Sequence, residues 1–241
     1  MEAVRIATKA NLLAAEEYLA SVDPILGAQI KAHGHCDLIP HHDYYGALVD
    51  SIISQQLSIK AAETISGRLR GLFDDRLPTP EQIMLKSHED LRAVGLSNSK
   101  VSYIRDLADK LLDNTLDLAR IEDLSDDQLI KQLTAVKGIG VWTSHMFLIF
   151  CVGRLDVLPV GDLGIRKGLK NLYGLKLLPR ADKVTKIYHQ HRWSPYGSVA
   201  SWYIWRSQDT TAERRHLQKV TDLSMLYQSV NVKRLTIHDM I

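Results

Sequence analysis

Two features between Leu133 and Gly168 have residue types and spacing that could do chemistry. The first is Lys137-Gly138-Ile139-Gly140, set between two helical patterns. Glycines at these positions let the backbone turn tightly and approach a ligand closely. A helix that begins at once, near Val141, turns its unbonded N–H groups and positive dipole end outward, which suits a phosphate. A plain corner between two helices is the competing reading. The second feature is Asp162, which follows Val157-Leu158-Pro159-Val160-Gly161 and stands where a new helical pattern starts. A carboxylate there can be an ordinary N-cap. It can also be an acid in a cleft, kept charged by the helix dipole so that it can face a developing cation.

The elements that must position these features read as helices. Residues 8–33 hold two, divided at Asp23-Pro24 as N-cap and N1 and closed by Gly34. A strong pattern then runs from Asp43 to Phe73 on Leu48, Ile52, Ile53, Leu57 and Ile65. Polar residues Ser54-Gln55-Gln56 interrupt it. A break near Gln56 and Leu57 is expected, with Ser58 capping the second half. Thr79 and Pro80 start another helix, Gly95 and Ser97 divide two more, and Ser125 with Gln128 forms a capping box for a helix over 123–136. Further helices are expected over about 141–152, 163–173, 181–190 and 198–207. Strand-like alternation never exceeds three or four residues, so the fold class is all-α. Residues 210–241 read as a last helix or a strand-like arm.

Bulk properties exclude more than they identify. The 241 residues are 45% hydrophobic and 24% charged, with net charge +2 and pI about 8.4, which neither demands nor excludes nucleic acid. Two cysteines, Cys36 and Cys151, rule out a disulfide framework and a four-cysteine zinc or iron–sulfur site. Cys151 lies in an apolar run and is expected to be a buried thiol. His33, His35, His41 and His42 cluster without an acidic partner or helical spacing, and read as exposed loop residues rather than metal ligands. The N-terminus does not read as a secretion signal, and the longest apolar run is too short to span a bilayer.

The span Leu133–Gly168 resembles the helix-hairpin-helix–Gly/Pro–Asp superfamily of base-excision DNA glycosylases, and within it the 3-methyladenine DNA glycosylase II (AlkA-like) branch. Three further stretches carry the same resemblance: Ser51-Ile52-Ile53-Ser54-Gln55-Gln56-Leu57-Ser58, then Gly95-Leu96-Ser97-Asn98-Ser99-Lys100, then Trp193-Ser194-Pro195-Tyr196 with the segment through Trp205. Together they cover roughly residues 43–207. The resemblance implies two helical subdomains, 37–154 and 1–36 plus 155–241, with an active-site cleft between them.

It also implies roles. Asp162 matches the catalytic aspartate. Trp142 stands where strand-cleaving relatives have a lysine; an indole cannot form a Schiff base, so a monofunctional glycosylase is implied. Trp142 and Trp205, with Met146 and Tyr45, are expected to line the base pocket. Gln56 matches the wedge that fills the gap left by a flipped nucleotide. Lys137, Gly138, Gly140, Thr143, Ser99 and Lys100 are expected to contact the DNA backbone. No cofactor is required, and the hairpin carbonyls of Val136 and Gly138 could hold a structural Na+ or K+. The expected partner is damaged duplex DNA, bound by a monomer away from any membrane, in the nucleoid or the nucleus. The expected substrates are 3-methyladenine and 7-methylguanine. The alternatives are a non-catalytic lesion binder and a glycosylase for other bases.

Two departures from the family pattern stand out. Met146 replaces an aromatic ring one turn after Trp142, and Gly197 replaces the arginine that follows the tryptophan–proline motif.

Overall fold

The computed structural model describes residues 6–208. The expected tail over 210–241 lies outside them. No β-strand occurs among the described residues, and Ile6 and Arg154 form one isolated antiparallel bridge. The chain divides into two compact units, one over residues 43–144 and the other combining the described residues before 43 with those after 144. The sequence reading sets these boundaries at 37 and 154.

In the 43–144 unit, α3 (Tyr44–Ser54) and α4 (Ile59–Gly71) are followed by two short helices, α5 (Pro80–Leu85) and α6 (His88–Ala93). Then come α7 (Asn98–Leu112) and α8 (Asp126–Thr134). The starts are set by local chemistry. Ser58, Thr79, Ser87, Ser97 and Ser125 each accept a backbone N–H from the first turn they cap. Thr79–Gln82, Ser87–Asp90 and Ser125–Gln128 complete reciprocal capping boxes. Each cap contributes about 1 kcal/mol. The amphipathic face of α7 buries Val101, Ile104, Leu107 and Ala108, with α3, α5 and α6 packed against it. Helix α8 is shorter than expected. Ala135 and Val136 tighten into i→i+3 bonds to Gln132 and Leu133, which narrows the chain into the hairpin.

Helix α9 (Val141–Phe147) leaves the hairpin and widens into one π-helical turn, Leu148–Val152, where an unbroken α-helix to Val152 was expected. Gly153, at φ 77°, closes that turn by donating to the Leu148 carbonyl, and a Cβ there would lie 2.8 Å from Pro40 Cβ. Only glycine combines that backbone with that approach.

The other unit contains α1 (Lys9–Val22), α2 (Pro24–His33), α10 (Leu163–Leu172), α11 (Ala181–Gln190) and α12 (Gly197–Arg206). Helix α12 is buried from Gly197 through Trp205, and α1, α2 and α10 pack on it. Gly168 permits the approach of α10, since a Cβ there would meet Ile204 Cγ2 at 2.5 Å.

Three acidic side chains tie this unit together. Buried Glu16 accepts from Cys36 N and Tyr203 OH, and His35 Nδ1 lies 2.7 Å from its Oε2. The histidine cluster therefore does have an acidic partner, contrary to the sequence reading, yet no group of three ligating side chains occurs among the described residues. Burial pushes the Cys36 thiol up to about 12, and Cys151 is buried as expected. Asp156 accepts from Tyr188 OH, Ser194 Oγ and Gly197 N. A Cβ at residue 197 would sit 3.0 Å from Asp156 Oδ1, so glycine suits this carboxylate-held turn.

Asp23 is the third, fully buried as the N-cap of α2. Its Oδ1 accepts from Ile25 N and Leu26 N, and its Oδ2 from Tyr173 OH at 2.6 Å and Trp193 Nε1 at 2.8 Å. Burial, then the bond to Asp23, raises the Tyr173 pKa, so its hydroxyl remains a donor. Asp23→Ala would strand these donors. A loss of about 3 kcal/mol or more in urea unfolding is expected; a loss below about 1 kcal/mol would contradict the assignment.

Candidate active site

The hairpin joins α8 to α9, and its two glycines do different things. Gly138 has φ 83° and lies under the Tyr103 ring, where a Cβ would come within 2.2 Å of Cδ2. Its carbonyl accepts from Gln55 Nε2 at 2.8 Å. Ile139 is buried as the anchor of the turn. Gly140 has nothing within 4 Å of its added Cβ, and its carbonyl accepts Ser144 N and Ser144 Oγ to start α9. Gly138 is therefore a packing requirement, and Gly140 leaves the outer face bare for a close ligand.

Around the hairpin, Lys137 is held at both ends of its residue by Asp106, with N–Oδ2 2.8 Å and Nζ–Oδ1 3.1 Å. Its side chain is still 67% exposed. Thr143 is half-buried in the first turn of α9, and Ser99 is exposed in the first turn of α7.

Lys100 departs from expectation. Its ammonium donates to the carbonyls of Ile53 at 2.7 Å and Gln55 at 2.8 Å. It thus caps the C-terminal end of α3, and partial burial lowers its pKa. Gln56, the expected wedge, is exposed with φ 58°.

On α9, Trp142 is 42% exposed. Met146, one turn on, is 6% exposed and belongs to the core rather than to a pocket wall. Tyr45, in the first turn of α3, is half-buried. Its hydroxyl is buried, and burial, with Glu81 and Asp43 as the neighbouring charges, raises its pKa.

Asp162 is buried at 7% exposure and is the N-cap of α10. The preceding loop is drawn in by Asp162 N donating to Pro159 O at 2.9 Å. One carboxylate oxygen, Oδ1, accepts both Ile165 N at 2.8 Å and Trp205 Nε1 at 2.9 Å. The two readings of Asp162 are therefore compatible, because capping the helix is what orients the acid. Trp205 is buried, its indole N–H committed to Asp162 and its ring stacked on Phe150 at 5.7 Å and 28°. It supports the acid instead of standing as an open aromatic wall.

Sequence reasoning missed Gly164, Gln208 and Phe150. A Cβ on Gly164 would lie 3.0 Å from Asp162 Oδ1 and 3.0 Å from Trp205 Cδ1, forcing the pair apart. Gln208 Nε2 donates to Gly164 O at 2.8 Å. The four-residue spacing of Gly164 and Gly168 on a predicted helix was the available signal for the close approach of another helix.

The hairpin geometry separates two variants. Gly138→Ala is expected to destabilise the protein and weaken DNA binding together. Gly140→Ala should leave the unfolding midpoint within about 0.5 kcal/mol of the parent and weaken only DNA binding. Equal destabilisation by both in urea titrations would contradict the division of roles.

Comparison with known proteins agrees with this architecture. The model of the HhH-GPD superfamily of base excision DNA repair proteins matches residues 49–192. The alkylbase DNA glycosidase-like protein mag2 of Schizosaccharomyces pombe is 33% identical, over 80% of this chain and 92% of that protein. The crystal structure of a DNA-3-methyladenine glycosidase from Bacillus halodurans is 39% identical, with TM-score 0.75 over 86% of this chain and 95% of that one. The 3-methyladenine DNA glycosylase Mag1 of S. pombe, solved in complex with abasic DNA, is 32% identical, with TM-score 0.68 over 82% and 97%. With its hairpin, its capped aspartate and these relatives, the chain belongs to the HhH-GPD superfamily of base excision DNA repair proteins, on the branch of 3-methyladenine DNA glycosylase-like enzymes.

Proposed function

We propose that this protein is a monofunctional DNA glycosylase that flips alkylated purines, 3-methyladenine and 7-methylguanine first, out of duplex DNA and hydrolyses the N-glycosidic bond. The observation that carries the reading is Asp162, a buried carboxylate aimed by Trp205 and by the α10 N-terminus. Capping α10 needs only the bond from Ile165 N; the second bond, from Trp205, fixes the carboxylate's direction, which a catalytic acid requires and a cap does not. Trp142 supports the monofunctional form, since it supplies no amine at the hairpin helix.

The reaction needs the base outside the stack, because a stacked nucleotide cannot reach an enclosed carboxylate. Unstacking costs a few kcal/mol, offset in part when Gln56 fills the vacated space. The N-alkylated base carries positive charge, and the exposed Trp142 indole attracts a cation by about 0.5–2 kcal/mol. The C1′–N bond then breaks with its electron pair leaving on the base, which is already a good leaving group. Positive charge develops on the sugar, as in glycoside hydrolysis. Asp162 stabilises that charge, or orients the water that adds at C1′, or does both.

The hairpin, bared at Gly140, holds a backbone phosphate, with Thr143, Ser99 and Lys137 at its edge. Asp106 already offsets part of the Lys137 charge, so its contribution is the smaller one. A Na+ or K+ at the carbonyls of Val136 and Gly138 fits their chemistry. Each accepts one N–H, from Ile139 and from Gln55, and a carbonyl oxygen has a second lone pair. Such an ion would add positive charge at the phosphate. The protein acts as a monomer on one lesion, wherever genomic DNA is kept.

Asp162→Asn should slow release of 7-methylguanine from methylated duplex by about a hundredfold or more, with DNA affinity within a few-fold of the parent. Release at the parent rate would refute the role of the acid. Duplex affinity should fall steeply with salt, as phosphate contacts require. Abasic product should accumulate without strand cleavage and without borohydride trapping. A trapped protein–DNA adduct would refute the monofunctional reading.

A further inference from the structure

The turn between α3 and α4 is strained, yet it is tied at several points. Gln55 has φ −51° and ψ 125°, Gln56 has φ 58°, and Leu57 N donates to Ser54 O at 3.1 Å. This is a type II β-turn, whose third position favours glycine. A glutamine held there in the left-handed region needs surroundings that over-determine it.

Three sets of bonds do so. The Lys100 ammonium grips the carbonyls of Ile53 and Gln55 on the two sides of the turn's entry. The Gln55 side chain reaches across to the Gly138 carbonyl. Ser58 caps α4 on the far side. Lys100 is itself seated by its own backbone, with its N–H donating to Ser97 Oγ at 3.2 Å. Its charge meets the negative end of α3, where a cation is favoured.

We infer that Lys100 and Gln55 are positioning residues that hold Gln56 at the tip of its turn and tie that turn to the phosphate-binding hairpin. The inference rests on the proposed role of Gln56 as wedge. Gly138 O is the shared point, so the hairpin and the wedge turn are held in one geometry. When the hairpin seats on a phosphate, Gln56 already faces the stack at a set distance. Lys100, expected from sequence to bind phosphate, acts instead through the residue that enters the duplex.

The test is a set of variants in the full-length protein: Lys100→Met, Lys100→Arg, Gln55→Met, Gln56→Ala, and the two double variants that combine Gln56→Ala with Lys100→Met or with Gln55→Met. Two readouts are taken: single-turnover release of 7-methylguanine, and amide hydrogen exchange. Lys100→Met should slow release by about tenfold or more, with affinity for undamaged duplex within about twofold, and Lys100→Arg should recover part of the rate. Exchange should rise at residues 54–58 and not across α7. The double variant with Lys100→Met should be no slower than Gln56→Ala alone. If the two losses multiply, or if Lys100→Met raises exchange throughout the 43–144 unit, the inference is overturned while the wedge reading stands. If Gln56→Ala leaves release unchanged, the wedge reading fails and the inference with it. Gln55→Met keeps the question open to decision should Lys100→Met not fold. It should give the same local exchange and the same non-additivity with Gln56→Ala, and a parent-like rate would count against the inference.

Discussion

The hydrogen bond from Trp205 Nε1 to Asp162 Oδ1, at 2.9 Å, is the interaction on which the site depends. A carboxylate at a helix start would satisfy α10 with any rotamer that reached Ile165 N. The indole removes that freedom. Because the Trp205 ring is stacked on Phe150 and α12 is buried along its length, the donor cannot drift. Gly164 supplies the space for the pair, and Gly168 supplies the space for α12 itself. Glu16, Asp23 and Asp156 each tie several donors of this unit together, with Glu16 reaching α12 through Tyr203 and Asp156 through Gly197. The bonds from Glu16 and Asp156 thus fix α12, the helix that carries the donor to Asp162. Such preorganisation is what electrostatic stabilisation of a transition state requires.

The 43–144 unit follows a similar logic with different chemistry. Its serine and threonine caps set where helices begin, and its buried faces set how they pack. The hairpin sits on Tyr103 through Gly138 and leaves Gly140 bare. Backbone carbonyls at the hairpin and at the α3–α4 turn are held by side chains from distant parts of the chain, Gln55 and Lys100. Under the proposed reading the hairpin backbone holds a phosphate, and such a site needs this support, since a loop free to move would lose the gain from pre-aligned donors.

Features that depend on neighbours in the chain were legible before any coordinates. The caps at Asp23, Ser58, Thr79, Ser97 and Ser125, the break at Gln56, the glycine hairpin and the capped Asp162 all follow from spacings of a few residues. What was not legible depends on long-range contact. Lys100 reads as a phosphate ligand until its partner carbonyls, 47 and 45 residues away, are seen. Trp205 reads as a pocket wall until its N–H is traced to an acid 43 residues earlier. Met146 carries helical periodicity that says which face it sits on and not whether that face is covered. The π-helical turn at Leu148–Val152 has no marker in its apolar run beyond Gly153, which ends an α-helix equally well.

The most direct measurement of the central claim is single-turnover base release by Trp205→Phe. Phenylalanine keeps an aromatic ring against Phe150 and removes only the N–H donor to Asp162. The expected result is a release rate lowered by about tenfold or more, with unfolding midpoint and DNA affinity close to those of the parent. A parent-like rate with the hydrogen bond gone would contradict the view that Asp162 works because it is held.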